Sequence, residues 1–588
     1  MNSLKEFFIN FKYLMPAVGQ YKKNAKISMI ATSIETILEL VVPTIMALII
    51  DRAVSRKDIK MTFILGGLMI LVSLICMYSG MVATKHASAT SSGFGANLRK
   101  LAFGKIQRFG FEDLEEFRTS SLITRLTSDI QQIIFSVFLA VRFIIKTVVM
   151  ALVAVVLSVK VSPRLSLLFL VTLPILVIAI FFTMSKVIPG FRQFRKEFDK
   201  LNLIVQESLA NIRVIKSFVR DDFEIKKMAK QNFTMYKLID KASGAMSYIG
   251  PIANVIMFGS MVSIVWFGGN EIISGQIKVG ELMSFIMYSM MLLGAFLGIS
   301  MVLMQMMASS PGVVRIAEVI EHKPYMNNDE KIENLEVKDG SIDFNNVSFK
   351  YGKDSDNYAL KDINLHIKEG ESIGILGSTG SSKSTLVQLL PRLYDIDKGE
   401  LKIGGVDIKK YDIKTLRDAV NIVLQKNTLF SGTIEENIRW GDLDASFEKV
   451  EKVAKIACAD EFIKERADGY QSLLGQGGTG VSGGQKQRIC IARSLLKKPK
   501  ILILDNSTSA VDTKTESKIV EGINNYSENL TKIIISQRVS SFKNCDRILV
   551  MKDGYIEDIG SHDQVYSRND FYKKTYDMQE KGSDLDEK

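Results

Sequence analysis

The residues with the clearest chemistry form a loop that can hold phosphate. Residues 377–385 read GSTGSSKST and follow the apolar segment Ser372–Leu376, the strand, loop and helix order that a phosphate-binding loop requires. Glycines let backbone N–H groups converge on phosphate oxygens, Lys383 reaches the β and γ oxygens, and Ser384 offers a hydroxyl to Mg²⁺. The sequence therefore predicts a nucleoside triphosphate site with Mg²⁺, formed by Gly377, Ser378, Thr379, Gly380, Ser381, Ser382, Lys383, Ser384 and Thr385.

This loop departs from its usual pattern at one position. The residue before the lysine is usually glycine, and here it is Ser382. If the backbone is left-handed at that position, serine costs on the order of 1–3 kcal/mol. The prediction of nucleotide binding therefore comes with an expected loss of affinity at Ser382.

A second candidate group ends the apolar run ILILD, Ile501–Asp505. Asp505 suits a buried strand that ends on Mg²⁺, and the next side chain should polarise the water that attacks the γ-phosphate. That next residue is Asn506, and a carboxamide cannot act as the general base. The chain is therefore expected to hold ATP better than it cleaves it.

Further motifs lie around these groups in a fixed order. Val481–Gln485 reads VSGGQ, and 509–512 reads SAVD. Tyr351 stands in VSFKY and Gln425 in VLQ. By residue type and order, this combination resembles the motifs of the ATP-binding cassette (ABC) transporters.

The resemblance implies a role for each motif. Tyr351 would stack on adenine, and Gln425 would sense Mg²⁺, which Ser384 and Asp505 would also contact. Ser509 and Asp512 would belong to the D-loop. The signature residues, which would face the ATP of a partner, are Val481, Ser482, Gly483, Gly484 and Gln485.

The resemblance also reveals a second departure, at Gln537 in IIISQRVSS. The family pattern has a histidine there that contacts the γ-phosphate, and glutamine can form a hydrogen bond but cannot share a proton. Losses at both Asn506 and Gln537, beside an intact signature, favour a selected arrangement over decay. They also argue against engineered inactivation, which usually changes one residue.

The family geometry implies a division of labour between two chains. In ABC proteins each ATP lies between the phosphate-binding loop of one nucleotide domain and the signature of the other. This chain would hold ATP in a degenerate site and complete the catalytic site of a second half-transporter, whose Walker B glutamate and H-loop histidine are intact. The sequence thus predicts one subunit of a heterodimeric ATP-driven exporter.

Apolar segments in the first half of the chain predict a membrane domain. Of the 588 residues, 47% are hydrophobic, and a membrane helix needs roughly 20 apolar residues. The lysines before the first span are expected to keep the N-terminus in the cytosol. Because the chain would cross the plasma membrane six times, the nucleotide domain would also lie in the cytosol. The six predicted spans are Ile27–Ile50, Met61–Val82, Leu139–Val159, Leu165–Val187, Ile249–Trp266 and Leu282–Met307.

The predicted fold class is an all-α six-helix exporter domain followed by an α/β P-loop nucleotide domain. The membrane domain covers 1–317, with two cytosolic helical extensions. Within them Glu115–Ile130 and Glu207–Phe218 resemble the coupling segments of the family. A linker at 318–339, a nucleotide domain at 340–575 and a charged, disordered tail at 576–588 complete the predicted organisation.

Ionisable residues at membrane depth are expensive and therefore candidates for function. Glu35 and Glu39 lie one helical turn apart in the first span, and Arg142 and Lys146 repeat that spacing in the third. Either pair could line a cavity for a small amphipathic substrate. The alternative is that the acids and bases neutralise one another between helices and contact no substrate.

Composition narrows the remaining function classes. The four cysteines show no metal-binding spacing, so neither zinc nor a structural disulfide is expected, and the net charge of +11 accompanies no nucleic-acid module. Three functions stay open: an exporter of amphipathic compounds, a lipid floppase of the same architecture, and a regulatory ABC membrane protein that binds ATP without transport. The lipid bilayer is an expected partner in all three.

Overall fold

The computed structural model describes residues 2–326, 335–352, 357–507 and 510–586. The chain forms two compact units: Met1–Gln107 with Ser120–His322, and Arg108–Thr119 with Lys323–Lys588. The first unit is helical, and the second contains the β-sheets. The last helix of the first unit continues to Glu321, past the predicted boundary at 317, and residues 327–334 of the predicted linker lie outside the described ranges.

Long helices make up the first unit, and one short helix between them, α4, belongs to the second. Their N-termini carry ordinary caps: the Asp58 carboxylate accepts a hydrogen bond from the Met61 N–H, and Ser162 caps a helix that begins with Pro163. The helices are α1 (Asn2–Leu14), α2 (Lys22–Leu48), α3 (Ile59–Ile106), α4 (Phe111–Glu116), α5 (Thr119–Thr124), α6 (Ile130–Leu139), α7 (Ile145–Val161), α8 (Pro163–Ala210), α9 (Ile212–Ser217), α10 (Asp221–Ser247), α11 (Ile249–Ile273) and α12 (Val279–Glu321).

Within the described ranges, six helical stretches are long and apolar enough to cross a membrane. They are Phe7–Val54, Ile59–Ile106, Thr119–Val161, Pro163–Thr183, Asp221–Ile273 and Val279–Glu321. Each contains or overlaps one predicted span, so the prediction of six spans is confirmed. The helices exceed the apolar windows because polar residues continue the same helical backbone beyond the apolar part, as in the 48 residues of α3.

The second unit contains sheets of four, six and two strands. The order is β2-β1-β4-β5 in the four-stranded antiparallel sheet and β12-β11-β3-β10-β9-β6 in the six-stranded sheet, which is parallel except for β12. The strands are β1 (Ile342–Phe349), β2 (Leu360–Ile367), β3 (Ser372–Gly377), β4 (Lys398–Ile403), β5 (Val406–Asp407), β6 (Val420–Val423), β7 (Gly432–Thr433), β8 (Leu473–Leu474), β9 (Ile501–Asp505), β10 (Thr531–Ile535), β11 (Arg547–Lys552) and β12 (Tyr555–Gly560).

Helices cover the parallel sheet, and all five residues of β9 are buried, as expected of a parallel strand that is apolar along its length. These helices are α13 (Lys383–Leu389), α14 (Ile413–Ala419), α15 (Ile434–Arg439), α16 (Phe447–Ile456), α17 (Asp460–Lys464), α18 (Gly483–Leu496), α19 (Thr513–Asn524), α20 (His562–Arg568) and α21 (Asp570–Asp586). The predicted α/β fold of this domain is confirmed; the structure adds an antiparallel four-stranded sheet and begins α18 within the signature.

The prediction of a disordered tail after 575 is wrong for the described residues, because α21 continues to Asp586. Tyr572 and Tyr576 lie one helical turn apart in this charged helix, and residues at that spacing share a helix face. Tyr572 is fully buried, and the Tyr576 hydroxyl accepts a hydrogen bond from Lys543. These contacts fix the helix on the nucleotide unit.

Strand register brings the motif residues to one edge of the parallel sheet. Ile535 of β10 pairs with Ile375 of β3 on one side and with Asp505 of β9 on the other. Carboxyl ends of parallel strands meet at the same edge, where ligands of such sheets bind. The phosphate loop, Asn506 and Gln537 all follow directly on these strand ends.

Candidate functional site

The phosphate loop connects β3 to α13, as its sequence predicted. The Lys383 ammonium donates hydrogen bonds to the carbonyl oxygens of Gly377 and Ser378, at 2.8 and 2.7 Å, and to the Ser381 hydroxyl at 3.1 Å. Burial lowers the pKa of Lys383 below its ordinary value, and the Asp505 carboxylate partly opposes this. The loop thus folds around a cation, which fits an anionic phosphate chain.

The backbone at Ser382 is left-handed, with φ 68° and ψ 25°. Glycine adopts this conformation without steric cost, whereas serine carries a Cβ that opposes it. The condition under which the sequence predicted strain is therefore met. Gly380 in the same loop is also left-handed, with φ +88°, and a Cβ placed there would have no atom within 4 Å.

We expect Ser382→Gly to tighten binding of ATP to this chain. Relief of about 1 kcal/mol of strain corresponds to roughly fivefold in the dissociation constant, if the loop relaxes when nucleotide is absent. Titration of a fluorescent ATP analogue would measure it. Ser381→Gly is the comparison variant: Ser381 is not among the left-handed residues, so the change relieves no strain and instead removes the hydroxyl that accepts from Lys383. Equal tightening by both variants, or none with Ser382→Gly, would contradict the strain account.

Two oxygen groups lie together where Mg²⁺ is expected. The Ser384 hydroxyl donates to a carboxylate oxygen of Asp505 at 3.1 Å. Burial raises the pKa of Asp505 above its ordinary value, while the Ser384 hydrogen bond and the Lys383 charge act in the opposite direction. A hydroxyl beside a buried carboxylate is a hard oxygen donor set, which fits Mg²⁺.

Asn506 follows β9 in a left-handed conformation, with φ 48°. Its N–H donates to the Ile535 carbonyl at 2.9 Å, which ties the end of β9 to β10. Asparagine tolerates left-handed backbone better than most residues other than glycine. The structure thus holds a carboxamide directly after Asp505, at the position where the sequence predicted that a base is lacking.

Gln537 follows β10, and its side chain is exposed. The Gln579 amide of α21 holds the backbone on both sides of it: it donates to the Gln537 carbonyl and accepts from the Val539 N–H, both at 2.8 Å. Arg538 donates to the Val511 carbonyl at 2.9 Å. Sequence reasoning missed Gln579, because no local pattern marks a partner forty residues away.

The signature segment begins α18. The Ser482 hydroxyl accepts from the Gln485 N–H at 3.3 Å, and the Gln485 side chain accepts from the Ser482 N–H at 3.0 Å. This reciprocal capping box leaves Ser482 and Gly483 exposed, with Val481 and Gly484 half-buried. A Cβ on Gly484 would meet the Ala510 carbonyl at 2.6 Å, so glycine is required there within this chain.

The remaining motif residues lie near these segments. Asp512 caps α19 by accepting from the Thr515 N–H at 2.9 Å, and this bond lowers the pKa of Asp512. Ser509 lies outside the described residues. Gln425 follows β6 at the same sheet edge and is exposed.

Tyr351 contacts the phosphate-loop helix: its hydroxyl and that of Thr385 are 3.0 Å apart. The residue is 40% exposed, which leaves room for a flat ligand. Burial of the hydroxyl raises the pKa of Tyr351, and the Thr385 hydrogen bond opposes this. The structure thus connects the predicted adenine-binding residue to the phosphate loop.

Comparison with known families identifies this arrangement. Residues 26–296 match the model of the ABC transporter transmembrane region, and residues 360–509 match that of the ABC transporter nucleotide domain. The uncharacterized ABC transporter ATP-binding protein YfiB of Bacillus subtilis (strain 168) is 36% identical, over 95% of this chain and 97% of that protein. The chain belongs to the ABC transporters. It is an exporter-type half-transporter, a multi-pass plasma membrane protein with a cytosolic ATP-binding domain.

Two further relatives of this ABC transporter have more specific names. ABC transporter B family member 4 of Dictyostelium discoideum is 32% identical over 86% of this chain and 65% of that protein. The ATP-dependent lipid A-core flippase of Desulfotalea psychrophila is 29% identical over 90% of this chain and 92% of that protein. ATP-dependent transport is therefore the general activity of this transporter.

The four ionisable residues predicted as cavity candidates pair with one another. Arg142 donates to both Glu35 carboxylate oxygens, at 2.5 and 2.8 Å, and Lys146 donates to Glu39 at 2.7 Å. These contacts agree with the second of the two predicted alternatives, in which the acids and bases neutralise one another between helices. Glu39 and Lys146 also line a cavity, so pairing does not remove them from reach of a ligand.

Helix α4 ends at Glu116, where the first predicted coupling segment, Glu115–Ile130, begins, and both α4 and Tyr394 belong to the second unit. The Tyr394 hydroxyl donates to Glu115 at 3.2 Å, and its ring packs edge-on against that of Tyr351 at 5.3 Å. Burial, followed by the Glu115 charge, raises the pKa of Tyr394. No motif marked Tyr394, yet it contacts both Glu115 of α4 and the predicted adenine-binding residue Tyr351.

Proposed function

We propose that this chain is the degenerate-site subunit of a heterodimeric ABC exporter that extrudes amphipathic compounds by alternating access. The observation that carries the proposal is Asn506, a carboxamide placed directly after the buried Asp505 where a general base is needed. Gln537 at the neighbouring strand end offers no titratable group either. ATP in this site would be held and cleaved slowly.

This chain's own groups give each step a physical basis. Lys383 would bind the β- and γ-phosphates, and Ser384, Gln425 and Asp505 would hold Mg²⁺, which neutralises phosphate charge when bound. Tyr351 would position adenine by stacking. Asn506, the residue directly after Asp505, cannot accept a proton from the attacking water at neutral pH.

The signature supports a role toward a partner. Ser482 and Gly483 are exposed at the N-terminus of the 14-residue helix α18, where backbone N–H groups attract anions. In a dimer they would contact the γ-phosphate in the partner's site. With a competent glutamate and histidine there, one of the two sites would turn over.

Exposed apolar side chains also support assembly with a second chain. Phe430 and Trp440 stack at 4.3 Å and are 46% and 57% exposed. Phe218, the last residue of the second predicted coupling segment, and Val219, which follows it, are 72% and 81% exposed. Exposed apolar side chains mark an interaction site when they adjoin one another in a patch, and we infer that the stacked Phe430 and Trp440, and the adjacent Phe218 and Val219, dock on the partner.

Retention of uncleaved ATP would test the degenerate site. The heterodimer is supplied with labelled ATP and Mg²⁺, allowed to turn over, separated rapidly from free nucleotide and denatured. We expect ATP and ADP together in the retained fraction, and Asn506→Gln should leave their ratio unchanged because neither amide is a base. ADP alone would show that both sites hydrolyse.

A lipid floppase of the same architecture is the second candidate. It is favoured by the similarity over nearly the whole chain to a lipid A-core flippase. Vesicles carrying a fluorescent lipid or a cationic dye would separate the two candidates. The regulatory alternative is less consistent with the intact signature and with the contact of α4 with Tyr394, and substrate-stimulated ATP turnover would exclude it.

A further inference from the structure

A cavity of about 590 Å³ lies in the first unit among α2, α3, α7 and α12. Most of its wall is apolar, with the thioethers of Met150, Met287 and Met291 and the thiol of Cys76. Methionine side chains adapt to ligands of varied shape. Glu39 and Lys146 also line the cavity and give it one negative and one positive charge.

The two ion pairs beside the cavity differ in accessibility. Glu35 and Arg142, at 9% and 13% side-chain exposure, do not line the cavity and form a bidentate pair. Glu39 and Lys146 are each 27% exposed and share a single hydrogen bond. The first pair is therefore fixed, and the second is the one that a ligand can open.

If a ligand separates Glu39 from Lys146, here called the outer pair, the lysine still has a carboxylate nearby. Lys146 lies 3.9 Å from a Glu35 oxygen as well as 2.7 Å from Glu39, so it keeps a carboxylate neighbour when Glu39 binds another cation. With two acids and two bases the cluster is neutral. A ligand with a net charge would leave one group of the outer pair uncompensated, whereas a ligand with both charges would satisfy both groups.

We propose that this cavity binds a zwitterionic amphiphile with a primary ammonium, of the phosphatidylethanolamine class, and this inference rests on the exporter function proposed above. The ammonium would take the place of Lys146 on Glu39, and the phosphate would bind Lys146. Glu39 already accepts from a primary ammonium at 2.7 Å, a bond that a quaternary ammonium cannot form. The acyl chains would lie along the methionines.

Protection of Cys76 provides a direct measurement, because its thiol lines the cavity. The heterodimer is placed in phosphatidylglycerol nanodiscs, in which part of the lipid is replaced by phosphatidylethanolamine or phosphatidylcholine of the same acyl chains. Alkylation of each cysteine is followed by peptide mass spectrometry. We expect phosphatidylethanolamine to slow labelling of Cys76 about fivefold, phosphatidylcholine to have little effect, and Cys458 in the nucleotide unit to serve as the internal control.

Variants of the outer pair make the test specific. Glu39→Gln should abolish protection by phosphatidylethanolamine, because the amide has no charge for the ammonium. The exchange Glu39→Lys with Lys146→Glu should restore it, since both charges are present again. Equal protection by phosphatidylcholine, protection that persists in Glu39→Gln, or no protection at all would overturn the proposal.

This measurement does not depend on ATP turnover. Loss of protection with turnover intact would reject the ligand class and leave the exporter function standing. Protection with no turnover in any mixed sample would do the reverse. The two proposals therefore fail separately.

Discussion

Ser482→Ala in this chain is expected to lower ATP turnover of the heterodimer by about 10²-fold, the cost of losing one fixed donor to transition-state charge. Asn506→Gln is expected to change turnover little. Under the proposed assignment, Ser482 would serve the competent site formed with the partner, whereas Asn506 would belong to the site that lacks a base. Steady-state phosphate release from the purified heterodimer measures both.

The loss of a helix cap must be separated from the loss of a phosphate contact. Ser482 caps α18, and removal of such a cap costs about 1 kcal/mol of stability. Ser561 forms the same capping box with Gln564 at the start of α20, so Ser561→Ala is the matched control. It should reduce stability without a comparable loss of turnover.

Gly484→Ala is a less direct probe. The added Cβ would meet the Ala510 carbonyl at 2.6 Å and disturb the D-loop segment of this chain. Gly483→Ala meets only the Ala510 Cβ, at 3.5 Å, an ordinary contact, so its effect would report on the partner's site. Equal losses for Ser482→Ala and Asn506→Gln would contradict the assignment of the two sites.

Arg142→Gln is expected to destabilise the membrane unit by about 3–5 kcal/mol, the cost of leaving one charge of a buried pair without its partner. Glu35 is 7% exposed and accepts two hydrogen bonds from Arg142. Without the guanidinium, Lys146 at 3.9 Å is the cation that remains paired with Glu35 among the described residues. Thermal unfolding in one fixed nanodisc composition measures the change.

Matched variants show whether charge or packing is responsible. The double variant Arg142→Gln with Glu35→Gln should regain much of the lost stability, because no charge is left buried. Lys146→Gln should cost less, since both side chains of its pair are 27% exposed. If Lys146→Gln were as damaging as Arg142→Gln, or if the double variant showed no recovery, the buried pair would not be the source of stability.

The features that could be predicted from the sequence are those that depend on residues close together in the chain. Apolar runs marked the membrane helices, and the phosphate loop, Asp505 and the signature carry their chemistry within a few adjacent residues. The sequence also indicated a left-handed backbone at Ser382, because glycine is usual at that position. The φ of 68° at Ser382 agrees with this.

The parts that the sequence left open depend on contacts between distant segments. The contact of Gln579 with the backbone around Gln537, and of Tyr394 with Glu115, joins residues with no local motif. The spacing of Glu35, Glu39, Arg142 and Lys146 was consistent with a cavity or with mutual pairing. Only coordinates show that one pair is buried and the other lines a cavity.

The most direct test of the account is ATP turnover by this chain purified alone and by the same chain combined with a half-transporter that has the Walker B glutamate and the H-loop histidine. The account predicts turnover in the mixed sample and almost none in the chain alone, because Asn506 and Gln537 leave every site of a homodimer without a base. Comparable turnover by the chain alone would show that another group replaces the missing base, and would contradict the assignment of a degenerate site.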